Sequence, residues 1–223
     1  YANFEGIRLS SGHDLTFFLH YFSNTRMNKP INNESFKVFE KNFRYSSSRG
    51  NKSGCTYGMG GSLSIHSTKI NMFGHDGFMG SNAPIGAGAC FSSKKPTIIF
   101  IGDAALEEDY VLSTLSWVAK KKLPILFVVD DNNYAVLTEK KDRRDWNAKK
   151  IAEAFKLKAY DVKDDPVQIY NALFRNIFKE PILININSNR LFWHAGAGKD
   201  NTKVFDRHKQ QLKILGKTAQ IFD

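Results

Sequence analysis

The chain has 223 residues, of which 42% are hydrophobic and 13% aromatic. A chain of this size and composition can bury one sizeable core, so we predict a single α/β domain over residues 1–223. No uncharged apolar stretch reaches about 18 residues and the first residues lack a signal-peptide pattern, which argues against a membrane span or secretion and favours the cytoplasm. The 32 basic residues outnumber the 22 acidic ones, but the lysines are dispersed, so a solvated surface is favoured over a nucleic-acid groove.

The amino-terminal quarter of the chain gives few structural signals. Residues 14–21 and 36–43 have helix-like apolar spacing, and the polar stretch 46–53 is predicted to be a loop. The first residue is Tyr1 rather than a methionine, which leaves an amino-terminal truncation open. Cys55 and Cys90 form no metal or redox pattern and are expected to be free thiols in a reducing compartment.

A regular alternation of predicted strands and helices follows residue 54. Residues 97–101, 125–129 and 181–186 are short β-branched runs typical of strands buried on both faces. Residues 106–122, between the first two runs, have helical apolar spacing and end in three lysines that complement the helix dipole. Residues 147–156 are predicted to be helical and 158–162 to be a strand, and Asp165 is the predicted cap of a helix that runs to residue 179.

These elements predict a doubly wound, mostly parallel sheet with helices on both faces, because strand–helix–strand units form right-handed parallel crossovers. Within the single domain we expect a leading helical and loop segment at 1–53, a core at 54–198 and a tail at 199–223. Such sheets bind ligands beyond the carboxyl ends of their strands. The sharpest polar motifs of this sequence follow two predicted strands directly.

The first motif is Gly102-Asp103-Ala104, between a strand and a helix. Backbone N–H groups of a small-residue turn at a helix N-terminus can face a phosphate, and a carboxylate there can hold a divalent ion. A plain capped turn is an equally good interpretation of this motif taken alone.

The second motif, residues 130–134, follows the next strand and reads DDNNY. Asn132 lies 29 positions after Asp103, so oxygens from two adjacent strand ends could converge on one cation of the kind that magnesium sites hold. The alternative is a turn whose Asx side chains bind their own backbone.

Together the two motifs resemble the thiamine diphosphate signature, in which an Asp, an Asn about 30 residues later and a backbone carbonyl two residues further bind Mg²⁺. The resemblance implies a thiamine diphosphate-binding fold of the diphosphate type. It also implies Asp103, Asn132 and the carbonyl of Tyr134 as metal ligands. The cofactor-binding positions that it implies are Gly77, Met79, Gly102, Asp103, Ala104, Ala105, Asn132, Tyr134 and Ala135.

Roughly residues 54–198 resemble the alpha subunits of pyruvate, branched-chain 2-oxo acid and acetoin dehydrogenases. The match rests on residues 60–63, the glycine turn 73–80, the Gly/Ala-rich segment 84–89, the stretch 133–138 and the loop 190–196. In this family the glycine turn offers backbone groups to the aminopyrimidine ring, which maps onto Gly77 and Met79. The loop places His194 near the substrate, as an acid or base or as a contact for substrate or a lipoyl arm; a structural role is the alternative. For His66 and His75 a structural or solvent-facing role is favoured.

The sequence departs from the family pattern in three places. Ala104 replaces the glycine at the third position of the diphosphate turn, at a cost of about 1 kcal/mol if that position requires positive φ. By a weak alignment, Asn3 and Glu5 stand where relatives carry an Arg-x-His stretch whose arginine contacts the diphosphate. Ser64 stands where relatives carry a histidine.

The resemblance implies the alpha subunit of a heteromeric 2-oxo acid dehydrogenase, which decarboxylates its substrate oxidatively. The glutamate that activates the aminopyrimidine lies in a beta subunit in this family, so we predict inactivity without that partner. An acyl acceptor such as a lipoyl acyltransferase is a further expected partner, whereas nucleic acid and membrane are not expected. Two alternatives remain: half of a split transketolase-like enzyme, and a degenerate subunit that serves only as a scaffold.

Overall fold

A computed structural model describes residue 57 and residues 78–190 and 205–216. The helices in these ranges are α1 (Asn82–Ser93), α2 (Asp109–Lys121), α3 (Ala148–Ala154), α4 (Pro166–Leu173) and α5 (Arg207–Leu215). The strands are β1 (Thr97–Gly102), β2 (Ile125–Asp131), β3 (Tyr134–Ala135), β4 (Thr138–Glu139), β5 (Lys158–Lys163) and β6 (Ile182–Asn187). Short 3-10 turns lie at Ala105–Glu107 and Lys140–Asp142. Within these ranges, every helix is too short or too polar to cross a bilayer.

The main sheet has the order β1-β2-β6-β5, and all three of its pairings are parallel. The chain moves outward from β1 to β2 and on to β5, and then returns to β6. Right-handed crossovers in opposite directions put their helices on opposite faces. The doubly wound parallel sheet predicted from the sequence is therefore confirmed for the described residues.

Two apolar cores flank the sheet. The first packs α1, α2 and α3 against one face, with Leu115 and Phe127 fully buried in it. The second packs α4 against the other face, where Leu173 meets Leu126 and Ile184. All seven residues of β2 are buried, and its first five, ILFVV, are continuously apolar because they are covered on both faces of the sheet.

Helix α1 lies unusually close to the sheet. A Cβ built on Gly86 would come within 2.8 Å of Ile99 in β1, so glycine is what permits this approach. Cys90 of the same helix is buried and free, which confirms the expected free thiol at this position. Cys55 lies outside the described residues.

Two helix boundaries differ from their predictions by three residues or more. The helix predicted over 106–122 begins at Asp109, because Ala105–Glu107 forms a 3-10 turn and Glu108 has an extended backbone. The helix capped by Asp165 ends at Leu173 rather than at residue 179. Asp165 accepts N–H hydrogen bonds from Val167 at 2.9 Å and Gln168 at 3.1 Å, as the capping signal predicts. The helices predicted over 14–21 and 36–43 lie outside the described residues.

Candidate functional site at the carboxyl edge of the sheet

Asp103 and Asn132 follow neighbouring strands at the same edge of the sheet. Gly102 pairs with Asp130 in the parallel register of β1 and β2, and the Asp103 N–H donates to the Asp130 carbonyl at 3.2 Å. Adjacent strand ends, the premise of the metal prediction, are therefore confirmed. A metal shared by the two side chains stays a prediction.

Asp103 is a buried carboxylate with a cationic partner. It is 1% exposed, and its Oδ2 accepts a hydrogen bond from Nη2 of Arg143 at 2.6 Å. Burial raises the pKa of Asp103 and the charge of Asp131 adds to the rise, while the hydrogen bond and charge of Arg143 oppose it. The arginine thus partly compensates a charge that burial disfavours.

Arg143 and Arg144 join Asp103 to Glu107 in a cluster of four charges. Arg143 bridges both carboxylates, because its Nη1 donates to Glu107 Oε1 at 2.6 Å. Nε of Arg144 lies 3.1 Å from the same Oε1, a charge contact outside hydrogen-bond geometry. The Arg144 guanidinium also stacks on Trp146, with 4.1 Å from Cζ to the ring centroid. Burial raises the pKa of Glu107, and it lowers the pKa of Arg144.

Arg144 is the least satisfied cation of this cluster. Its side chain is 2% exposed, and within the described part of the chain neither Nη1 nor Nη2 has a hydrogen-bond partner. Buried donors of this kind are costly, particularly on a charged group. Sequence reasoning missed both arginines; the signal that was available is the basic pair at 143–144, which lies downstream of the predicted metal turn at 130–134.

Asn132 lies in a turn that binds its own backbone. Its Oδ1 accepts from the Tyr134 N–H at 3.1 Å, and Asn133 has a φ of 72°, which Asn tolerates better than most residues. This is the Asx turn that the sequence left open as the alternative. The hydrogen bond uses one acceptor site of the amide oxygen, and a second lone pair remains for a cation.

The residues after Asn132 form the β3–β4 hairpin. Tyr134 pairs with Glu139 and Ala135 pairs with Thr138. Arg190 fastens the hairpin: its guanidinium lies 4.7 Å from the Tyr134 ring centroid and donates to the Val136 carbonyl at 2.5 Å. The predicted carbonyl ligand, Tyr134, is therefore held on an anchored element.

A polar network extends along the same edge from β2 to β5. Lys140 Nζ contacts the two Asp131 oxygens at 2.8 and 2.6 Å. Asn185, which is buried in β6, donates to Asp131 at 3.2 Å and to Asp161 at 3.1 Å. Burial acts to raise the pKa of Asp161, but hydrogen bonds led by that of Asn185 outweigh it and lower the pKa.

Asp130 is a second buried carboxyl group beneath this edge. Its Oδ1 accepts a hydrogen bond from the Ser188 hydroxyl. Burial raises its pKa to about 8, with smaller contributions from Asp164, Asp103 and Asp131, while Ser188 opposes the rise. Asp130 is accordingly mostly protonated at neutral pH.

The glycine turn before α1 contacts the start of α2. The Tyr110 hydroxyl donates to the carbonyl of Met79, one of the predicted cofactor-binding residues. Gly80 has a φ of 77°, and a Cβ there would lie 2.5 Å from Cγ2 of Val111. Glycine is therefore required at this turn on both conformational and steric grounds.

Ala104, which stands where relatives have a glycine in the predicted diphosphate turn, carries no backbone strain. Ala104 has φ −73° and ψ −38°, which is ordinary right-handed backbone, so the penalty considered for positive φ does not arise. Ala104 is half-buried, and Ala105 is buried at the start of the 3-10 turn.

Several candidate residues cannot be placed in this geometry. Gly77 and His194 lie outside the described residues, as do His66, His75, Asn3, Glu5 and Ser64. Within the described ranges, no group of three or more His, Cys, Asp or Glu side chains is arranged to hold a metal. The predicted ligand set is of another type, since it combines one carboxylate with an amide oxygen and a backbone carbonyl.

An open parallel sheet with buried carboxylates, guanidinium groups and an Asx turn at one edge defines an α/β protein whose ligand site is expected at that edge. A sequence profile of the "Dehydrogenase E1 component" family matches residues 37–212. The chain therefore belongs to the dehydrogenase E1 component family, and the resemblance inferred from the motifs is confirmed.

Individual relatives agree with this assignment. The chain is 34% identical over 94 residues to a pyruvate dehydrogenase E1 component subunit alpha of Zymomonas mobilis, covering 40% of this chain and 27% of that protein. It is 28% identical over 167 residues to a mitochondrial pyruvate dehydrogenase E1 alpha subunit of Oryza sativa, covering 69% and 42%. It is 34% identical over 96 residues to the alpha subunit of acetoin:2,6-dichlorophenolindophenol oxidoreductase of Cupriavidus necator, covering 41% and 29%. The matches thus span about a quarter to two fifths of these relatives.

Among solved structures, a transketolase from Campylobacter jejuni aligns with a TM-score of 0.45 and 19% identity, covering 51% of this chain and 20% of that one. The fold assignment above rests on the sheet topology itself.

Proposed function

We propose that this chain is the alpha subunit of a heteromeric 2-oxo acid dehydrogenase and holds the diphosphate and magnesium of thiamine diphosphate. The observation that carries the proposal is the buried Asp103 carboxylate beside the Asn132 turn, at adjacent strand ends of a dehydrogenase E1 family chain. The names of relatives, which are pyruvate and acetoin enzyme subunits, agree with it.

The residues at this edge fit the chemistry of the group. A carboxylate, an amide oxygen and a backbone carbonyl are oxygen donors of the kind that Mg²⁺ takes together with substrate phosphates. Nη1 and Nη2 of Arg144, which have no hydrogen-bond partner among the described residues, are buried donors suited to an anion. In this proposal Asp103, Asn132 and the Tyr134 carbonyl hold the metal, and Met79 and Gly77 offer backbone groups to the aminopyrimidine.

When bound, thiamine diphosphate supplies the carbanion and electron-sink chemistry of decarboxylation. The contribution of this chain is positional. Burial of Asp103 keeps water from competing for its carboxylate, while Arg190 fixes the hairpin that carries Tyr134. His194 is the proposed acid or base, or the contact for substrate or a lipoyl arm.

A beta-type partner completes the proposed enzyme, because the activating glutamate lies in that subunit in this family. Inactivity of the isolated chain, a tetramer of two alpha and two beta chains, and transfer to a lipoyl acyltransferase belong to the same proposal. The cytoplasm is the proposed location, and the free thiol of Cys90 suits its reducing conditions.

Calorimetric titration of the full chain, alone and with its beta-type partner, with thiamine diphosphate and Mg²⁺ tests the assignment. We expect saturable binding that Asp103→Asn abolishes and Asp145→Asn leaves intact, since Asp145 is exposed in the same region. Absence of saturable binding by the wild type with the partner present would favour the scaffold alternative. Where binding occurs, turnover of 2-oxo acids rather than ketose phosphates separates the proposal from a split transketolase-like enzyme.

A further inference from the structure

The cluster of Asp103, Glu107, Arg143 and Arg144 carries two negative and two positive charges. Its members are half-buried or buried, and Arg143 contacts both carboxylates at 2.6 Å. Arg143 therefore occupies, at Oδ2 of Asp103, a position where a cation is favourable. A divalent ion bound to the same carboxylate would repel the guanidinium, because at such short range in a buried site the repulsion is poorly screened.

The cluster also holds more cationic hydrogen-bonding capacity than its carboxylates use. Nε of Arg143 and both Nη atoms of Arg144 are buried without a hydrogen-bond partner in the described part of the chain. Guanidinium groups bind phosphate oxygens through two parallel N–H bonds. At the same time, the weak alignment of the amino-terminal segment puts Asn3 where relatives carry the diphosphate arginine.

We infer that Arg143 and Arg144 are the cationic residues of the diphosphate site in this chain, and that Arg143 neutralises Asp103 until Mg²⁺ replaces it there. On that replacement Arg143 turns from Asp103 to the diphosphate oxygens. Arg144 keeps its charge contact with Glu107 and presents its Nη atoms to the same anion. This inference rests on the proposed function, since it assigns residues to the ligand named there.

The exchange predicts effects of opposite sign on two ligands. In Arg143→Gln the competitor for Asp103 is gone, so Mn²⁺ alone, followed by the loss of its free-ion magnetic resonance signal, should bind more tightly. Thiamine diphosphate with Mg²⁺, followed by calorimetry, should bind roughly 10- to 100-fold more weakly, because a charge-assisted contact is lost.

Arg144→Gln should weaken the binding of thiamine diphosphate and tighten Mn²⁺ binding less than Arg143→Gln does, because Arg144 acts on Asp103 through its charge alone and makes no hydrogen bond to it. Arg175→Gln is the matched control, because Arg175 is exposed, and it should alter neither affinity. Arg143→Lys keeps the positive charge but lacks the two parallel N–H donors of a guanidinium group. It should show the same opposite shifts at smaller size, and it serves as the test where the glutamine variant does not fold.

Both affinities falling together in the Arg143 variants, or neither changing, would overturn the inference and leave these arginines a structural role. A wild-type chain that binds no thiamine diphosphate with its partner present would overturn both the inference and the proposed function. Saturable wild-type binding with unchanged affinity in the Arg143 and Arg144 variants would overturn the inference alone.

Discussion

Replacing Asp130 with asparagine should stabilise the protein at neutral pH and have almost no effect in acid. Asp130 lies at the end of β2, and burial raises its pKa to about 8. The native state therefore keeps a proton that the unfolded chain releases near its ordinary pKa. The stability contribution of the protonated group is fully present below the unfolded pKa and is lost as the pH rises through the folded value. Asparagine keeps the shape and can still bind Ser188, but it does not titrate.

The size of the effect follows from the two pKa values. With an unfolded pKa of about 3.9 and a folded pKa of about 8, wild type should lose about 1.4 kcal/mol of unfolding free energy per pH unit between them. At pH 7 the unfolding free energy of the wild type should therefore be lower than that of Asp130→Asn by at most roughly 4 kcal/mol.

Urea unfolding of the metal-free wild type and variant at several pH values from 4 to 8 measures this difference. We expect the gap between their unfolding free energies to widen steadily over that range. Asp145→Asn is the control at an exposed position, and its unfolding free energy should differ little from that of the wild type. A gap for Asp130→Asn that does not vary with pH would refute the reasoning, since it would mean that Asp130 titrates alike in both states.

Two further changes probe local structure, each by chemical denaturation. Gly80→Ala should destabilise by at least about 1 kcal/mol, because φ is 77° and the new Cβ would lie 2.5 Å from Val111. Gly88→Ala, in the same region but with open space around its Cβ, should instead stabilise by up to about 1 kcal/mol; equal effects at the two positions would contradict this account. Asp165→Ala should lower the free energy of unfolding by about 1 kcal/mol, because the α4 cap is lost. Asp165→Ser should retain most of the stability that the cap provides. If alanine proves as stable as serine there, the cap contributes nothing.

The regular part of the fold could be predicted because its signals are local. The run at 125–129 is β-branched and apolar throughout, which is what a strand covered on both faces requires. The predicted start of α2 was wrong because Leu106 fits the apolar spacing of that helix. Leu106 is buried in the same core as α2, but it lies in a 3-10 turn before the helix. Apolar spacing indicates which side chains are buried, but it does not distinguish an α-helix from a 3-10 turn.

At the candidate site, the sequence placed Asp103 and Asn132 at neighbouring strand ends, because parallel register follows from topology. It did not reveal the hydrogen bond between Arg143 and Asp103, whose two residues are 40 positions apart. That bond depends on how the segment after the β3–β4 hairpin approaches the turn after β1. The order of strands, with β6 inserted between β2 and β5, likewise depends on long-range pairing. Such contacts leave no local periodic signal.

The four-charge cluster at the carboxyl edge constrains how this sequence can diverge. Removing any one of Asp103, Glu107, Arg143 or Arg144 leaves the cluster with one uncompensated charge in a mostly buried site, which is costlier than losing a surface pair. Divergence at these positions should therefore proceed by joint replacement of an acid and a base. In descendants of this chain, an arginine lost at 143 should be accompanied by a neutral residue at 103 or 107, and only the latter would keep the predicted metal ligand.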